Sequence, residues 1–307
     1  MNPPPSSQTP ARVRWRWRWG RIALLGLVAG IGALGWNQYT WQRAVRQLEE
    51  AGITAVSQGE DLRARLWRNV RYDWRQLFKA GTWRTPPIKW KMAPGKAGPL
   101  RNLDAFAPAL RRINPEILIL SSCQALQNVD GLKGLTALQK LELYHCQALQ
   151  NVDGLKGLTA LQEIDLSACA ALQDMDGLKG LTALQKLDIS TCPALENVGG
   201  LKGLTTLQGL MLSHCPALQN VDGLKGLVAL QRLDLRECRA LQNVDVLKGL
   251  TALQWLRLSG CPMLQNVDGL TGLTGLDEID LSDCPKLPSE QVAALRAALP
   301  KAYIRYP

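Results

Sequence analysis

Cys123, Cys146, Cys169, Cys192, Cys215, Cys238, Cys261 and Cys284 are all the cysteines of the chain, and each stands 23 residues after the last. The leucines keep the same beat. Counting from Cys169, Leu172, Met175, Leu178, Leu181 and Leu184 follow at steps of three, and Leu187 and Ile189 then lie two apart. A step of two with both side chains on one side is the spacing of a β-strand. Steps of three suit a 3-10-like or extended return path. Each unit is therefore predicted to be one coil, with a short strand on one side and turns on the other. A lone coil cannot bury its leucine ridge. Identical coils stacked on one another can, so a strict repeat of this length predicts a solenoid. Its strands add in parallel about 4.8 Å apart, and eight of them span about 35–40 Å. At roughly 1.5–3 kcal/mol per buried Leu, the columns dominate stability.

The consensus L-x-x-L-x-x-L-x-L-x-x-C-x-x-L-x-x-V-x-x-L-x-x runs over about residues 116–287 and resembles the leucine-rich repeat family. Cys stands where that family usually carries its ladder Asn. The pattern is similar to bacterial internalin-type repeats and to the LxLSxCPxL repeats of plant disease-resistance receptors. The resemblance implies an α/β-type leucine-rich repeat solenoid, with short parallel strands on the concave side and loops or 3-10 turns on the convex side. It also implies a non-catalytic protein-binding scaffold, and it does not name the ligand. Residues 100–117, LRNLDAFAPALRRINPEI, are expected to open the stack, and residues 118–287 to supply about eight repeats. PSEQVAALRAALPKAYIRYP, residues 288–307, resembles the helical closing cap of bacterial members.

Charge divides the chain. Residues 1–115 carry 20 Lys+Arg against 6 Asp+Glu, and residues 116–307 carry 16 against 20, so +14 and −4 make up the net +10. The basic character belongs to the N-terminal third, and a nucleic-acid reading of the whole chain from its charge would mislead. Residues 1–21 form a basic tail with Arg12, Arg14, Arg16, Arg18 and Arg21, and no charge follows from Ile22 to Gln42. A basic flank before an apolar run predicts a signal anchor over residues 22–42, with a cleaved signal and a secreted protein as the alternative. The Arg excess before the segment places the N-terminus inside and the repeats in the periplasm or outside the cell, on a single pass of the cytoplasmic membrane. Residues 43–99 read as a basic, helical juxtamembrane region and a Pro-rich linker. EDLRARLWRNVRYDWRQLF, at 60–78, has Leu62, Leu66, Val70, Trp74 and Leu77 at helical spacing; RTPPIKWKMAPGKAGP, at 84–99, holds four Pro. RWRWRW leaves a membrane-active or nucleic-acid-binding peptide as another reading of the tail, without specific nucleic-acid recognition.

The Cys column suits neither metal nor disulfide. A metal needs ligands converging from several directions, whereas a column presents parallel ones, and the side-chain directions disfavour pairing. The eight thiols are expected to be a buried structural ladder whose S–H groups cap turn carbonyls. Unpaired thiols suit a reducing compartment and the anchor an oxidising one; burial would keep them inert in either. His145 and His214 lie three coils apart, about 15 Å, too far to share a metal or serve a catalytic triad. No cofactor, metal or enzyme activity is expected. An effector-type ubiquitin ligase would need a reactive Cys in a separate domain, and every Cys belongs to the repeat. Lys133, Lys156, Lys179, Lys202, Lys225 and Lys248 form a convex column, each three residues after an Asp except the one after Gly199. Those neighbours are expected to pair.

Variation concentrates on the strand side, between the inward leucines. One column reads Lys140, Glu163, Lys186, Gly209, Arg232, Trp255, Glu278. The next reads Glu142, Asp165, Asp188, Met211, Asp234, Arg257, Asp280, and the third Tyr144, Ser167, Ser190, Ser213, Arg236, Ser259, Ser282. Exposed aromatics and Arg anchor interfaces, so Tyr144, Met211, Arg232, Arg236, Trp255 and Arg257 are the expected contacts for an unknown protein ligand on the concave face.

Overall fold

A computed structural model describes residues 42–50, 53–56, 89–92 and 100–306. Residues 42–50 form a helix, α1. The strands are β1 (Ile53–Val56), β2 (Lys89–Met92), β3 (Ile117–Ile119), β4 (Lys140–Glu142), β5 (Glu163–Asp165), β6 (Lys186–Asp188), β7 (Gly209–Met211), β8 (Arg232–Asp234), β9 (Trp255–Arg257), β10 (Glu278–Asp280) and β11 (Tyr303–Arg305). They join into one sheet in chain order. β1 pairs antiparallel with β2, and every later pair is parallel and in register. Leu141, Ile164, Leu187, Leu210, Leu233, Leu256 and Ile279 therefore stand side by side, all buried. The Leu or, at 189, Ile two residues further on in each coil is buried beside them, so the step of two marks the strand wall of the core.

The convex return is built from 3-10 turns, at Asp130–Leu132, Asp153–Leu155, Asp176–Leu178, Gly199–Leu201, Asp222–Leu224, Asp245–Leu247 and Asp268–Leu270. The residue two before the turn starts it. The Oδ1 atoms of Asn128, Asn151, Asp174, Asn197, Asn220 and Asn266 each accept the first N–H of the turn at 2.7–3.3 Å, the local bond that makes Asn and Asp turn formers. The middle residue of the turn is where successive coils touch. A Cβ on Gly154 would lie 1.9 Å from the Val129 carbonyl oxygen, and one on Gly177 1.9 Å from that of Val152. No side chain fits that gap. In one coil the position is Val246, and Gly269 of the following coil faces the Asp245 Cα instead of a valine carbonyl.

Both ends of the ridge are covered. At the first, α2 (Ala107–Ile113) inserts Leu110. Asn114, left-handed at φ 45°, ends that helix and accepts the Ala137 N–H on Oδ1 at 3.1 Å. At the other end α3 (Ser289–Ala298) buries Val292 and Leu295. Its Gln291 Oε1 accepts the Val267 N–H at 3.0 Å, and the Tyr306 hydroxyl donates to the Leu287 carbonyl at 2.9 Å.

Two described parts of 43–99 add to their sequence reading. Ala44 and Leu48 of α1 are buried in the same core as Leu103 and Leu110, so this helix is packed on the repeat end. Lys89–Met92, inside the expected linker, is a strand beside β3. Backbone pairing of four residues flanked by Pro leaves little side-chain periodicity to read. No helix among the described residues is long and apolar enough to cross a membrane. The basic tail 1–21, residues 22–41 of the expected anchor and the amphipathic stretch 60–78 lie outside the described residues.

Candidate functional site

The Cys column lines the core. All eight thiols are buried and none is in a disulfide. Cys146, Cys169, Cys192, Cys215, Cys238, Cys261 and Cys284 donate S–H to the carbonyls of Leu120, Leu143, Leu166, Ile189, Leu212, Leu235 and Leu258, each 26 residues back, at 3.2–3.4 Å. Each thiol thus closes the end of the preceding strand. Burial pushes Cys169 and Cys261 up to about 12 and Cys215 up to about 11, which keeps them in the protonated, weakly nucleophilic form at neutral pH. No cluster of three or more His, Cys, Asp or Glu among the described residues could hold a metal. His145 and His214, both left-handed, sit in the turns after their strands.

On the convex side, Lys133, Lys156 and Lys179 reach Asp130, Asp153 and Asp176 at 2.7–2.8 Å. These pairs form within a coil, over three residues, and are solvent-exposed.

The outward strand positions form a shallow concave groove of about 340 Å³ over β4 to β8, lined by Lys140, Glu142, Glu163, Lys186, Met211 and Arg232 among others. Its charges are knitted at one end and open at the other. Lys186 approaches Glu163 at 2.8 Å, and Lys140 bridges Glu142 at 3.1 Å and Glu163 at 3.3 Å. Hydrogen bonds with Lys186 hold the Glu163 carboxyl below its ordinary range, and those with Glu142 hold the Lys140 ammonium above its own. Asp165, Asp188 and Asp280 each accept the N–H of the Ser two residues on, at 2.9–3.0 Å, ending the strand.

The six expected contact residues differ in their freedom. Arg236 folds back on Asp234 with three bonds at 2.7–3.0 Å, and Asp234 is only 2% exposed; this guanidinium is already committed. The Arg257 guanidinium lies 4.2 Å from the centroid of the Trp255 ring, a stack that presents aromatic and cation as one unit. Arg232, the register partner of Trp255, is exposed and has no ion-pair partner among the described residues. Met211 is half-buried in the groove. Tyr144 stands apart on the third column, 48% exposed, with its ring 5.7 Å from that of His145. The structure brings Met211, Arg232, Trp255 and Arg257 together on β7–β9, and separates Tyr144 from them by three coils. The spacing of Asp234 and Arg236, i and i+2, puts both on one face; that is the one signal the sequence holds for this pair, and it does not say that the bonds form.

No protein-family model matches the chain, and no curated protein does. Solved structures match its fold. The leucine-rich repeat domain of the type III effector XopL aligns over 89% of this chain and 93% of its own, at 21% identity and a TM-score of 0.57. The chain has a leucine-rich repeat fold. Two internalins of Listeria monocytogenes also align. Internalin C2 does so at 25% identity over 52% of this chain and 72% of its own, with a TM-score of 0.44. Internalin F aligns at 16% identity over 65% and 78%, with a TM-score of 0.34.

Proposed function

We propose that this leucine-rich repeat chain is a non-catalytic scaffold that binds another protein on its concave face, and that residues 22–42 tether it to the cytoplasmic membrane as a single pass with the N-terminus inside. One observation carries the first half. The core columns repeat nearly without change, whereas the outward strand positions carry uncommitted anchors: Arg232, exposed, and Arg257 stacked on Trp255 at 4.2 Å. Preorganised aromatic and Arg side chains are what protein interfaces draw on for affinity. The five Arg before an uncharged stretch of 21 residues support the tether.

Quantitative capture of envelope proteins by the tagged full chain tests the face. Trp255→Ala with Arg257→Ala should cut capture at least tenfold with the fold intact; equal capture removes this face. Protease digestion of a C-terminal tag tests the tether. Digestion only after the outer envelope is permeabilised supports the orientation, and a tag in the cytosolic fraction overturns it.

A further inference from the structure

Gly209 leaves a gap in the middle of the concave face that the fold does not require. Its column carries Lys140, Glu163, Lys186, Arg232, Trp255 and Glu278, and only here has no side chain. Its backbone is not left-handed, and a Cβ added there would meet nothing within 4 Å. The coil-contact glycines have the opposite environment, with a carbonyl 1.9 Å from the added atom at Gly154, Gly177 and Gly223. Glycine within a strand weakens it and often marks a close approach by a ligand or another backbone.

The surroundings of the gap define what would enter. Lys186 and Arg232 flank it on the neighbouring strands, one on each side, so their Cα atoms stand two strand spacings, about 10 Å, apart. Long cationic side chains close that distance onto a single anion. Lys186 shares its charge with Glu163 at 2.8 Å; Arg232 is open. Met211, two residues along the same strand face, supplies an apolar floor. The carboxylates nearest this end do not fill the gap themselves: Asp234 is held by Arg236, and Asp188 is turned to the Ser190 N–H at 2.9 Å. Towards β4 the balance reverses, with Glu142, Glu163, Asp165 and Asp188 outnumbering Lys140 and Lys186 along the groove.

We propose that the Gly209 gap is a socket for a carboxylate side chain on an extended protein segment. That segment crosses the strands and places a basic residue over Asp165 and Asp188. From β7 to β5 is two strand spacings, about 10 Å, or roughly three residues of extended chain. The preferred segment thus carries Glu or Asp and, two to three positions away, Lys or Arg. This inference rests on the scaffold reading and specifies its ligand.

The test is selection of a random 12-residue peptide library displayed on phage against the immobilised full chain, followed by binding of the enriched synthetic peptides. Enriched sequences should share an acidic and a basic residue two to three positions apart. Gly209→Leu and Arg232→Ala should each weaken those peptides at least tenfold, with the thermal midpoint of Gly209→Leu no lower than native. Gly209→Ala should weaken them less, and Lys225→Ala on the convex side not at all. Peptides that bind Gly209→Leu as tightly as native, yet are lost on Trp255→Ala with Arg257→Ala, overturn the socket and leave the scaffold standing. No enrichment by the native chain overturns both.

Discussion

The residue before each ladder cysteine holds a backbone that most side chains avoid. Ser122, His145, Ala168, Thr191, His214, Glu237 and Asp283 all have φ between 56° and 64°, and the eighth member of the series is Gly260. The chain must reverse sharply there to carry the following Cys into the core. For residues other than Gly, Asn and Asp the left-handed conformation costs about 1–2 kcal/mol, most for a β-branched side chain. Thr191 is the β-branched one, and its side chain is exposed. Thr191→Gly should therefore stabilise the chain by about 0.5–1 kcal/mol after the unfolded-state entropy of glycine is subtracted, read as a higher urea midpoint. A lower midpoint would mean that the threonine side chain contributes more than the strain costs. Nothing in the residue types Ser, His, Ala, Thr, Glu and Asp announces this column in the sequence; only its 23-residue spacing does.

Among elements, the coil-to-coil contact of the 3-10 turns sets how closely the convex side packs. At Gly177 an added methyl carbon would fall 1.9 Å from the Val152 carbonyl oxygen, so the coils must part or the turn must unwind. Gly177→Ala should destabilise by about 1–3 kcal/mol in denaturant titration, while Gly209→Ala should be neutral or gain up to about 1 kcal/mol. Equal costs at the two sites would show that backbone freedom, and not contact, keeps glycine at 177. The strands, turns and leucine walls were legible because a period of 23 with steps of two and three admits one coil. What was not legible joins the stack through other means. α1 enters by Ala44, Val45 and Leu48, too few apolar positions to stand out in a basic, Trp-rich region. β2 enters by main-chain pairing with β3. On the concave face, the variable columns were visible, but the commitment of Arg236 to Asp234 and the emptiness around Gly209 depend on rotamers and neighbours that a list of residues does not contain.

At the scale of the molecule, seven thiols raised by their surroundings make stability depend on pH. Burial raises Cys169, Cys192, Cys215, Cys238, Cys261 and Cys284, and Cys146 is raised chiefly by its hydrogen bond with Cys123. That same bond lowers Cys123, which acts in the opposite sense. The unfolded chain releases thiol protons from about pH 9, whereas the folded one keeps them until about 11 at Cys215 and about 12 at Cys169 and Cys261. The folded state therefore binds more protons in this window, and stability is complete below about pH 8.5 and falls as pH rises through it. Each retained proton adds about 1.4 kcal/mol per pH unit. Urea midpoints at pH 8, 9 and 10 should drop progressively, and replacing Cys169, Cys215 and Cys261 by Ser should flatten the drop. A midpoint constant across that range would contradict it.

Because the strands advance by one fixed spacing per coil, the concave face behaves as a ruler. Inserting or deleting a whole 23-residue unit between β7 and β9 would shift the empty place at Gly209 relative to the Trp255–Arg257 stack by about 4.8 Å while every leucine found an equivalent neighbour. New spacings between anchors could thus arise by changing the number of rungs, with no new side chain invented.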